Sequence, residues 1–436
     1  MKVYSFPRGG LRYEDPSIAF NASSAGAFLP ALSVIPLIQH AGSRAYPIVG
    51  VGDWVKEGML IGRGQGLGSA NIHATVPGKV VRMVSWKMAE GITNDALVIR
   101  MEGSFEKLGK REEVFPWDGL SPFELQRIIT EYGIVEMEGA GQPVSDMLSA
   151  FRSLSDPLTL VVRCVFDDPW LAADYTLCCE RLEAVAEGSA IAARAARMSR
   201  IVFAVSYRER ELGERLMNAA GAWGLPASAV FTGSRYPQRN RRELELVLRL
   251  YEKKEGAELG SLLILGPAAL AAIHDAVKLH KPILDRYVAV GGTAVKHPQV
   301  MKARLGTRIR ELFEECGGFA DRPARIASGS PLRGRAVADL DEPVMKTTSG
   351  VFALREAGVG KGTVRDCIGC GECRAVCPVG LDPEDLYKRV SARGKDGESQ
   401  AALPETGCHG CGCCEAVCPS HLPLSVSIAS AGEDHR

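Results

Sequence analysis

The first 120 residues alternate between short hydrophobic runs and turn-forming residues. Two of these segments, YPIVGVGDWVKEGMLIGRG (46–64) and IHATVPGKVVRMVSW (72–86), combine β-branched and apolar residues with Gly-Asp and Pro-Gly turns. Short runs of this composition, bounded by turn signals, are typical of β-strands. We therefore predict a small barrel or sandwich over residues 1–120.

After Ser121 the pattern changes to alternating helices and strands. SPFELQRIITEYG (121–133) begins with Ser121 and Glu124 at the spacing of a capping box, and Gly133 is a suitable helix terminator. TLVVRCVF (159–166) and RIVFAVS (200–206) are typical of buried strands, and the segments between and after them have helical periodicity. This alternation predicts an α/β domain with a largely parallel sheet over residues 121–285.

Two further regions complete the chain. RYVAVGGTAV (286–295) has strand character, and HPQVMKARLGTRIRELFEECGG (297–318) predicts a turn that leads into an amphipathic helix. We assign residues 286–355 to a β segment. Residues 356–436 form a separate domain that contains most of the cysteines.

The composition excludes several classes of function. Lys+Arg and Asp+Glu both total 52, so the formal net charge is zero and no basic surface for nucleic acid is indicated. The longest apolar runs, such as SLLILGPAALAAI (261–273), are shorter than the roughly 20 residues of a membrane span. MKVYSFPRGG (1–10) lacks the apolar stretch of a signal peptide. We therefore expect a cytoplasmic chain that reaches a membrane only through partners.

Two segments, CIGCGECRAVCP (367–378) and CHGCGCCEAVCP (408–419), contain nine of the 13 cysteines, and eight of these nine repeat the same spacing. C-x2-C-x2-C-x3-C-P is the spacing of bacterial two-cluster ferredoxins, in which the fourth cysteine of each motif ligates the other cluster. We predict two [4Fe-4S] clusters with crossed ligand sets. The first set is Cys367, Cys370, Cys373 and Cys418, and the second is Cys408, Cys411, Cys414 and Cys377.

Structural zinc sites are the alternative, because zinc also binds C-x2-C pairs. Zinc explains neither the third cysteine of each motif nor the proline that follows the fourth. Cys413 falls outside the spacing, and we expect it to be a small packing residue. Adjacent residues on a helix point apart, so a redox pair at Cys178 and Cys179 is not expected. No hydrolase constellation is found, and we predict no catalytic side chain.

The N-terminal segments also resemble a known module. GDWVKEGMLIG followed by ATVPGKVV is similar to a biotinyl/lipoyl-type barrel-sandwich hybrid. Such carriers present a modifiable lysine at the tip of the hairpin between the two runs. The corresponding tip here, RGQGLGS, has no lysine, so a structural module is expected.

Nearly the whole chain resembles the RnfC family, which supplies the C subunit of the Rnf complex. The segments that carry the resemblance are IPLIQHAGSRAYPIVGVGDWVKEGMLIG, IHATVPGKV, GGTAVKHP, RLGTRIRELFEECGG, DEPVMKTTSGVFAL and the two cysteine motifs with CPVGL and CPSHLPL. The resemblance implies a multidomain α/β plus β fold. Its parts are an N-terminal barrel-sandwich hybrid, an α/β domain like the flavin subunit of complex I, a β-grasp-like (SLBB) segment and a C-terminal α-helical double [4Fe-4S] ferredoxin domain.

The resemblance also implies a function. The Rnf complex is a membrane oxidoreductase that couples electron transfer between ferredoxin and NAD to ion translocation. The implied partners are its membrane subunits and a soluble electron carrier, either ferredoxin, flavodoxin or NADH. The implied location is peripheral, on the cytoplasmic side of the inner (cell) membrane, and no nucleic-acid partner is implied.

The family is expected to bind FMN and NADH in the α/β domain, and there this sequence departs from the pattern. The family loop reads approximately G-x-x-G-x-G-G-A-G-F-P-T, and the chain has GIVEMEGAGQPV (133–144). Gly133, Gly139 and Gly141 are kept, but Glu136 and Glu138 stand where the family has glycines. Gln142 and Val144 replace the Phe and the Thr.

Three other flavin-site elements are changed as well. RCVFDDP (163–169) keeps only Asp168 and Pro169 of an element similar to N-G-A-E-C-E-P. YPQRNRR (236–242) has Arg239 where Y-P-Q-G-G-E has a glycine, and ILGPA (264–268) replaces an Asn-rich stretch. The residues that retain the family pattern for the cofactor are Gly133, Gly139, Gly141 and Asp168.

Electrostatics favours a closed flavin site. A carboxylate about 4 Å from a phosphate charge costs on the order of 4 kcal/mol at an effective dielectric constant near 20. We therefore expect Glu136 and Glu138 to pair with the arginines at 239, 241 and 242 in a filled pocket, so that FMN and NADH binding is impaired. The protein would then transfer single electrons through its two clusters.

Two alternatives stay open. In the first, the same arginines clamp a phosphate, and the chain is a full NADH:FMN:[4Fe-4S] oxidoreductase subunit that couples NAD and ferredoxin. In the second, the chain is a structural assembly protein whose metal sites are non-catalytic.

Overall fold

A computed structural model describes most of the chain. The described residues are 2–13, 23–87, 93–106, 108, 113–151, 154, 157–168, 171–356, 363–396 and 407–433. Pro169, which the sequence analysis associated with the flavin site, lies outside this set. None of the described helices has the length and apolar character required to span a bilayer.

The predicted β-rich N-terminal module is confirmed. Its strands are β2 (Leu32–Pro36), β3 (Tyr46–Pro47), β4 (Trp54–Val55), β5 (Leu60–Arg63), β6 (Ile72–His73), β7 (Gly78–Lys87) and β8 (Thr93–Met101). One antiparallel sheet has the order β2-β8-β7-β4, and a smaller one has the order β3-β5-β6. Buried residues from both sheets, including Ile35, Leu97 and Ile61, share one apolar core. Burial of this shared core holds the two sheets together.

The α/β domain has the predicted parallel sheet. Strands β9 (Leu158–Cys164), β10 (Arg200–Ser206), β11 (Ala227–Thr232) and β12 (Ser261–Leu265) lie in the order β11-β10-β9-β12, and every pairing is parallel. The helices are α1 (Pro122–Glu131), α2 (Val144–Ser149), α3 (Ala173–Glu180), α4 (Leu182–Ala195), α5 (Arg210–Gly221), α6 (Arg241–Glu255) and α7 (Pro267–Lys278).

The strands of this sheet are buried on both faces. Leu160 and Val162 of β9 face the large core that α4 and α7 help to form. Their neighbour Val161 faces a second core with residues of α6. Parallel strands covered on both faces are expected to be nearly continuous hydrophobic runs, which is how β9 and β10 were recognised in the sequence.

The first helix begins as its sequence indicates. The hydroxyl of Ser121 accepts from the backbone N–H of Glu124 (3.3 Å), and the Glu124 carboxylate accepts from the backbone N–H of Ser121 (2.8 Å). The predicted capping box is therefore confirmed.

The third region is a six-stranded sheet. Its elements are β1 (Ala25–Gly26), β13 (Asp285–Gly291), β14 (Gln299–Arg304), α8 (Ile309–Glu315), β15 (Arg325–Ser328), β16 (Arg335–Ala336) and β17 (Gly350–Leu354), with the strand order β1-β14-β13-β17-β15-β16. The predicted helix is present as α8 and a turn precedes it, but the prediction missed that residues 299–304 form a strand antiparallel to β13. That pairing joins partners that the local pattern cannot identify.

The C-terminal domain is helical, as predicted. Its helices are α9 (Glu372–Ala375), α10 (Pro383–Asp396), α11 (Cys413–Ala416) and α12 (Leu424–Glu433). Each cysteine motif enters its short helix through a glycine with positive φ, Gly371 in the first motif and Gly412 in the second. The two motifs therefore have the same local geometry.

Residues 2–12 form an arm that lies along the α/β domain, although the sequence analysis grouped them with the barrel-sandwich. Tyr4 forms a parallel bridge with Thr232 at the edge of β11, and Phe6 is buried against the sheet. Leu11 forms an antiparallel bridge with Tyr236. The arm thus adds backbone pairing to a sheet edge that local sequence patterns do not connect with it.

Candidate functional site

The first predicted cysteine set surrounds one cavity. An open cavity is lined by Cys367, Cys370, Cys373 and Cys418. Its other lining residues are Ile368, Gly371, Glu384, Pro419, Ser420, Leu422 and Leu424. Three of these cysteines come from the first motif and one from the second, which is the crossed pattern that the spacing predicts. Cys370 is exposed, and so is Ile368 beside it (70%).

The second predicted set is more deeply enclosed. Cys377, Cys411 and Cys414 are buried, and Cys408 is half-buried. Cys408 interacts electrostatically with Cys411 and Cys377. Cys414 interacts in the same way with Cys408 and Cys377. The fourth cysteine of the first motif thus lies close to the first three of the second motif.

Among the described residues, no three His, Cys, Asp or Glu side chains are arranged to hold one metal ion. A tetrahedral zinc site requires four ligands at about 2.0–2.3 Å from one ion. A [4Fe-4S] cluster is held by four cysteine thiolates, and each crossed set supplies four cysteines, so the donor chemistry fits two such clusters. Cys413 is fully buried beside Cys411 and hydrogen-bonds with it.

The glycine-rich loop of the α/β domain is closed on itself. The backbone N–H of Glu136 donates to the carbonyl of Gln142 (2.8 Å), and that of Gly141 donates to the carbonyl of Glu138 (3.3 Å). Val135 and Pro143 form an antiparallel bridge between the two ends of the loop. Phosphate binding by such loops relies on backbone N–H groups that point at the anion, and these N–H groups are already engaged.

Two of the three retained glycines of this loop pack against other domains. Gly133 has φ +62, and a Cβ there would lie 2.2 Å from the carbonyl oxygen of Asn71 in the barrel-sandwich. Gly141 has φ +76, and a Cβ there would lie 2.9 Å from a methyl carbon of Thr347. Gly139 also has positive φ but faces open space. Close approach between domains therefore accounts for two of the three glycines.

Glu136 occupies a position suited to an anion. Its carboxylate accepts from the backbone N–H of Gly266 at the N-terminus of α7 (2.9 Å) and from the guanidinium of Arg163 (3.3 Å). A helix N-terminus attracts negative charge through its unpaired N–H groups and its dipole. In this chain a side-chain carboxylate supplies that charge.

Glu138 is held by two arginines. Arg163 and Arg239 both form ion pairs with its carboxylate. Burial acts to raise the pKa of Glu138, but the two guanidinium groups hold it below its usual value. This carboxylate is therefore ionised and neutralised within the domain.

The ion pairs extend into a larger cluster, here called the buried charge network. It consists of Glu136, Glu138, Arg163, Asp167, Asp174, Arg239 and Arg286, all of which are buried except Glu138, which is partly exposed. Arg239 pairs with Asp174 (3.2 Å) and donates its backbone N–H to Asp167 (3.0 Å). Arg286 lies 4.0 Å from Asp174 and donates to the carbonyl of Met137 (3.2 Å).

The network has more carboxyl than guanidinium groups, and this affects their protonation. Burial raises the pKa of Glu136 to about 7 against the opposing charge of Arg163. Burial likewise raises the pKa of Asp167 to about 7 against Arg239. Desolvation penalises charge that its partners offset only in part, so Glu136 and Asp167 titrate near neutral pH, whereas Glu138 stays ionised.

The structure corrects part of the predicted pairing. Arg239 pairs with Glu138 as expected, but Arg241 pairs with Glu245 on the surface (2.9 Å), and Arg242 donates to the carbonyl of Gly407 (3.2 Å). Arg241 and Arg242 extend from the outward side of α6, so neither reaches the loop. Asp168 is buried next to Asp167.

Four members of the network were not assigned to the site from the sequence. Arg163 lies in β9, Asp167 follows that strand, Asp174 lies in α3 and Arg286 in β13. A charged residue within a hydrophobic strand was the available signal for Arg163 and Arg286, because buried charges require partners. Asp174 gave no local signal.

These residues do not fit a flavin phosphate. The loop engages the N–H groups of Glu136 and Gly141 within itself, and its two carboxyl groups are paired with Arg163 and Arg239. An added phosphate would have to displace a carboxylate from a buried guanidinium group. Breaking a buried ion pair in that way is strongly unfavourable.

Comparison with known families gives the same domain order as the structure. Four family models match: the RnfC barrel sandwich hybrid domain over 8–104, the Nuo51 FMN-binding domain over 129–253, the SLBB domain over 287–346 and the 4Fe-4S dicluster domain over 363–422. The predicted order of domains and the prediction of two [4Fe-4S] clusters are confirmed.

Curated relatives match over most of their length. The C subunit of the ion-translocating oxidoreductase complex of Rhodobacter capsulatus is 32% identical over 380 residues, which cover 86% of this chain and 73% of the relative. The C subunit of the proton-translocating ferredoxin:NAD(+) oxidoreductase complex of Clostridium ljungdahlii is 31% identical over 397 residues, which cover 88% of this chain and 86% of the relative.

One solved structure is more distantly similar. A chain of the NAD+-reducing [NiFe]-hydrogenase in its H2-reduced state is 15% identical, with a TM-score of 0.47. The match covers 64% of this chain and 54% of the hydrogenase chain. That similarity is too low to support any inference about this chain.

Proposed function

The chain belongs to the RnfC family, the C subunits of ion-translocating oxidoreductase complexes, and we propose that it transfers single electrons there through two [4Fe-4S] clusters while its flavin site is closed. The observation that carries the proposal is the buried charge network. Glu138 and Glu136 fill the loop of the α/β domain with charges that are neutralised inside the protein.

We assign the cluster ligands by the crossed pattern. Cluster 1 is held by Cys367, Cys370, Cys373 and Cys418, which line one cavity. Cluster 2 is held by Cys408, Cys411, Cys414 and Cys377, which lie together in the interior. When bound, the clusters supply one-electron chemistry, and the protein sets their potentials through hydrogen bonds, charge and exposure.

The difference in burial supports an order of electron transfer. Cluster 1 is bordered by the exposed residues Cys370 and Ile368, whereas cluster 2 is enclosed between the ferredoxin domain and the α/β domain. Cluster 1 is therefore the cluster that meets an external redox partner. The partners are the membrane subunits of an Rnf-type complex and a soluble electron carrier, and the chain lies peripherally on the cytoplasmic side of the membrane.

The match to an FMN-binding domain model supports the alternative of a full NADH:FMN:[4Fe-4S] subunit. One experiment separates the two functions. The chain is reconstituted anaerobically with iron and sulfide, and the absorbance near 400 nm is followed after addition of dithionite or NADH. We expect about eight irons per chain, bleaching by dithionite and no bleaching by NADH. Bleaching by NADH in the presence of FMN would show that the flavin site is functional, and zinc in place of iron would show that the metal sites are structural.

A further inference from the structure

Tyr236 connects the α/β domain to the second cysteine motif. Its side chain is almost completely buried (1% exposed), and its hydroxyl donates to the carbonyl oxygen of Cys411 (2.7 Å). Its ring packs in a small apolar cluster with Cys411 and Cys413. A buried hydroxyl needs its acceptor, so this contact fixes the backbone of the Cys411 loop relative to the sheet.

The backbone of Tyr236 connects the same domain to the first motif. Tyr236 and Leu11 of the N-terminal arm exchange two backbone hydrogen bonds (2.8 and 2.9 Å). The adjacent Gly10 donates its N–H to the carbonyl of Val376 (2.8 Å). Gly9 has φ +64 and lies so close that a Cβ there would be 2.6 Å from the carbonyl oxygen of Cys377.

Residues that follow Tyr236 hold the same loop. Glu243, fully buried at the start of α6, accepts from Nε2 of His409 (2.9 Å), and Asn240 donates to Nδ1 of that ring (3.1 Å). Arg242 donates to the carbonyl of Gly407 (3.2 Å). Residues 236–243 therefore form one docking segment for residues 407–411.

Among the described residues, no contact from another domain supports cluster 1 in this way. Its loop is tied within the ferredoxin domain, where the hydroxyl of Ser420 donates to the carbonyl of Asp366 (2.9 Å) and the N–H of Arg365 donates to the carbonyl of Ser420 (3.0 Å). Ser420 and Tyr236 thus play parallel roles at the two cysteine sets. Only Tyr236 comes from outside the ferredoxin domain.

We propose that Tyr236 is a positioning residue for cluster 2. It is joined directly to Cys411 and through the arm to Cys377, which come from different motifs and belong to the same proposed cluster. The docking segment 236–243 includes YPQRNRR (236–242), which resembles a flavin-site element. In this chain the segment serves to hold the second cluster against the α/β domain. The inference rests on the ligand assignment made under the proposed function.

The geometry has a consequence for the potential of cluster 2. The hydroxyl dipole of Tyr236 points its positive end toward the Cys411 loop and so favours the more negative, reduced cluster. Its removal lowers the midpoint potential of cluster 2 and leaves that of cluster 1 unchanged, because hydrogen bonds around a cluster tune its potential locally.

A redox titration monitored by electron paramagnetic resonance tests this on the full, reconstituted chain. Tyr236→Phe keeps the ring and removes the hydroxyl, and Ser420→Ala is the matched variant at cluster 1. We expect Tyr236→Phe to lower the midpoint potential of one signal and Ser420→Ala to shift only the other. Equal shifts of both signals, no shift, or loss of both clusters in Tyr236→Phe would overturn the proposal.

Gly9→Ala gives a second measurement that does not depend on a potential. The added Cβ collides with the Cys377 backbone, so we expect about half of the iron to be lost and the cluster 1 signal to persist. Retention of all the iron, or loss of both signals, counts against the positioning role. A parent chain without two signals would instead disprove the proposed two-cluster function, so the two failures are distinguishable.

Discussion

Glu138 and Arg239 form an ion pair inside the α/β domain. The family pattern that the chain resembles has a glycine at each position, and the two elements are about 100 residues apart in the sequence. The two changes are therefore physically coupled. Either one alone would leave a buried charge with fewer partners, whereas together they fill the loop with a neutralised pair.

The first prediction concerns the stability that Arg239 provides. Arg239→Ala leaves Glu138 and Asp174 with fewer partners in the interior, and we expect the free energy of unfolding to fall by about 3–5 kcal/mol. Chemical denaturation measures this. Arg241→Ala, in the same YPQRNRR segment, removes only an exposed pair with Glu245 and should cost about 0.5 kcal/mol or less. Equal losses in the two variants would show that the network is not stabilising.

The second prediction separates packing from phosphate binding in the glycine loop. Gly133→Ala introduces a Cβ 2.2 Å from the Asn71 carbonyl, whereas Gly139→Ala has a similar φ and open space. The left-handed conformation costs about 1–2 kcal/mol in both variants, so the difference between them reports the clash with Asn71, and we expect Gly133→Ala to be about 2 kcal/mol more destabilising than Gly139→Ala. Thermal or chemical unfolding measures the stability of the two variants. Equal losses of stability would disprove the interpretation that Gly133 is required for packing.

The third prediction concerns pH. Lys346 is buried where three domains meet, and its ammonium donates to the carbonyls of Asn71 (2.9 Å) and Gly133 (2.8 Å). Burial lowers its pKa from 10.5 to about 7. Between these values the unfolded chain binds more protons than the folded chain, so the free energy of unfolding rises with pH from about 7 to about 10.5.

Lys346→Met removes this contribution. We expect a smaller slope of unfolding free energy against pH between about 7 and about 10.5, measured by denaturation at several pH values. The exposed Lys388→Met is the control and should retain the parent slope. An unchanged slope in Lys346→Met would mean that Lys346 keeps an ordinary pKa in the folded protein.

The fourth prediction distinguishes ligands from bystanders among the cysteines. Cys370→Ser should remove cluster 1 and leave about four irons per chain, because Cys370 lines the first cavity. Cys413→Ser should retain about eight, because Cys413 lies outside the motif spacing. Iron analysis gives the answer, and loss of iron in Cys413→Ser would require a different ligand set.

Much of this organisation is local and was therefore predictable. The cysteine spacing, the capping box of Ser121 and the hydrophobic runs of β9 and β10 each depend on residues close together in the sequence. The pairing of Arg239 with Asp174 and the bridge between Leu11 and Tyr236 depend on residues far apart. No local pattern specifies such contacts, and the roles of Arg163, Arg286 and the N-terminal arm emerged only in three dimensions.

The most direct test of the closed flavin site is the amount of FMN retained. The reconstituted chain is incubated with excess FMN, freed of unbound flavin by gel filtration, and analysed for acid-extractable FMN. Because Glu136 and Glu138 already occupy the loop with paired charge, we expect no FMN above background. One FMN per chain, reducible by NADH, would contradict the account.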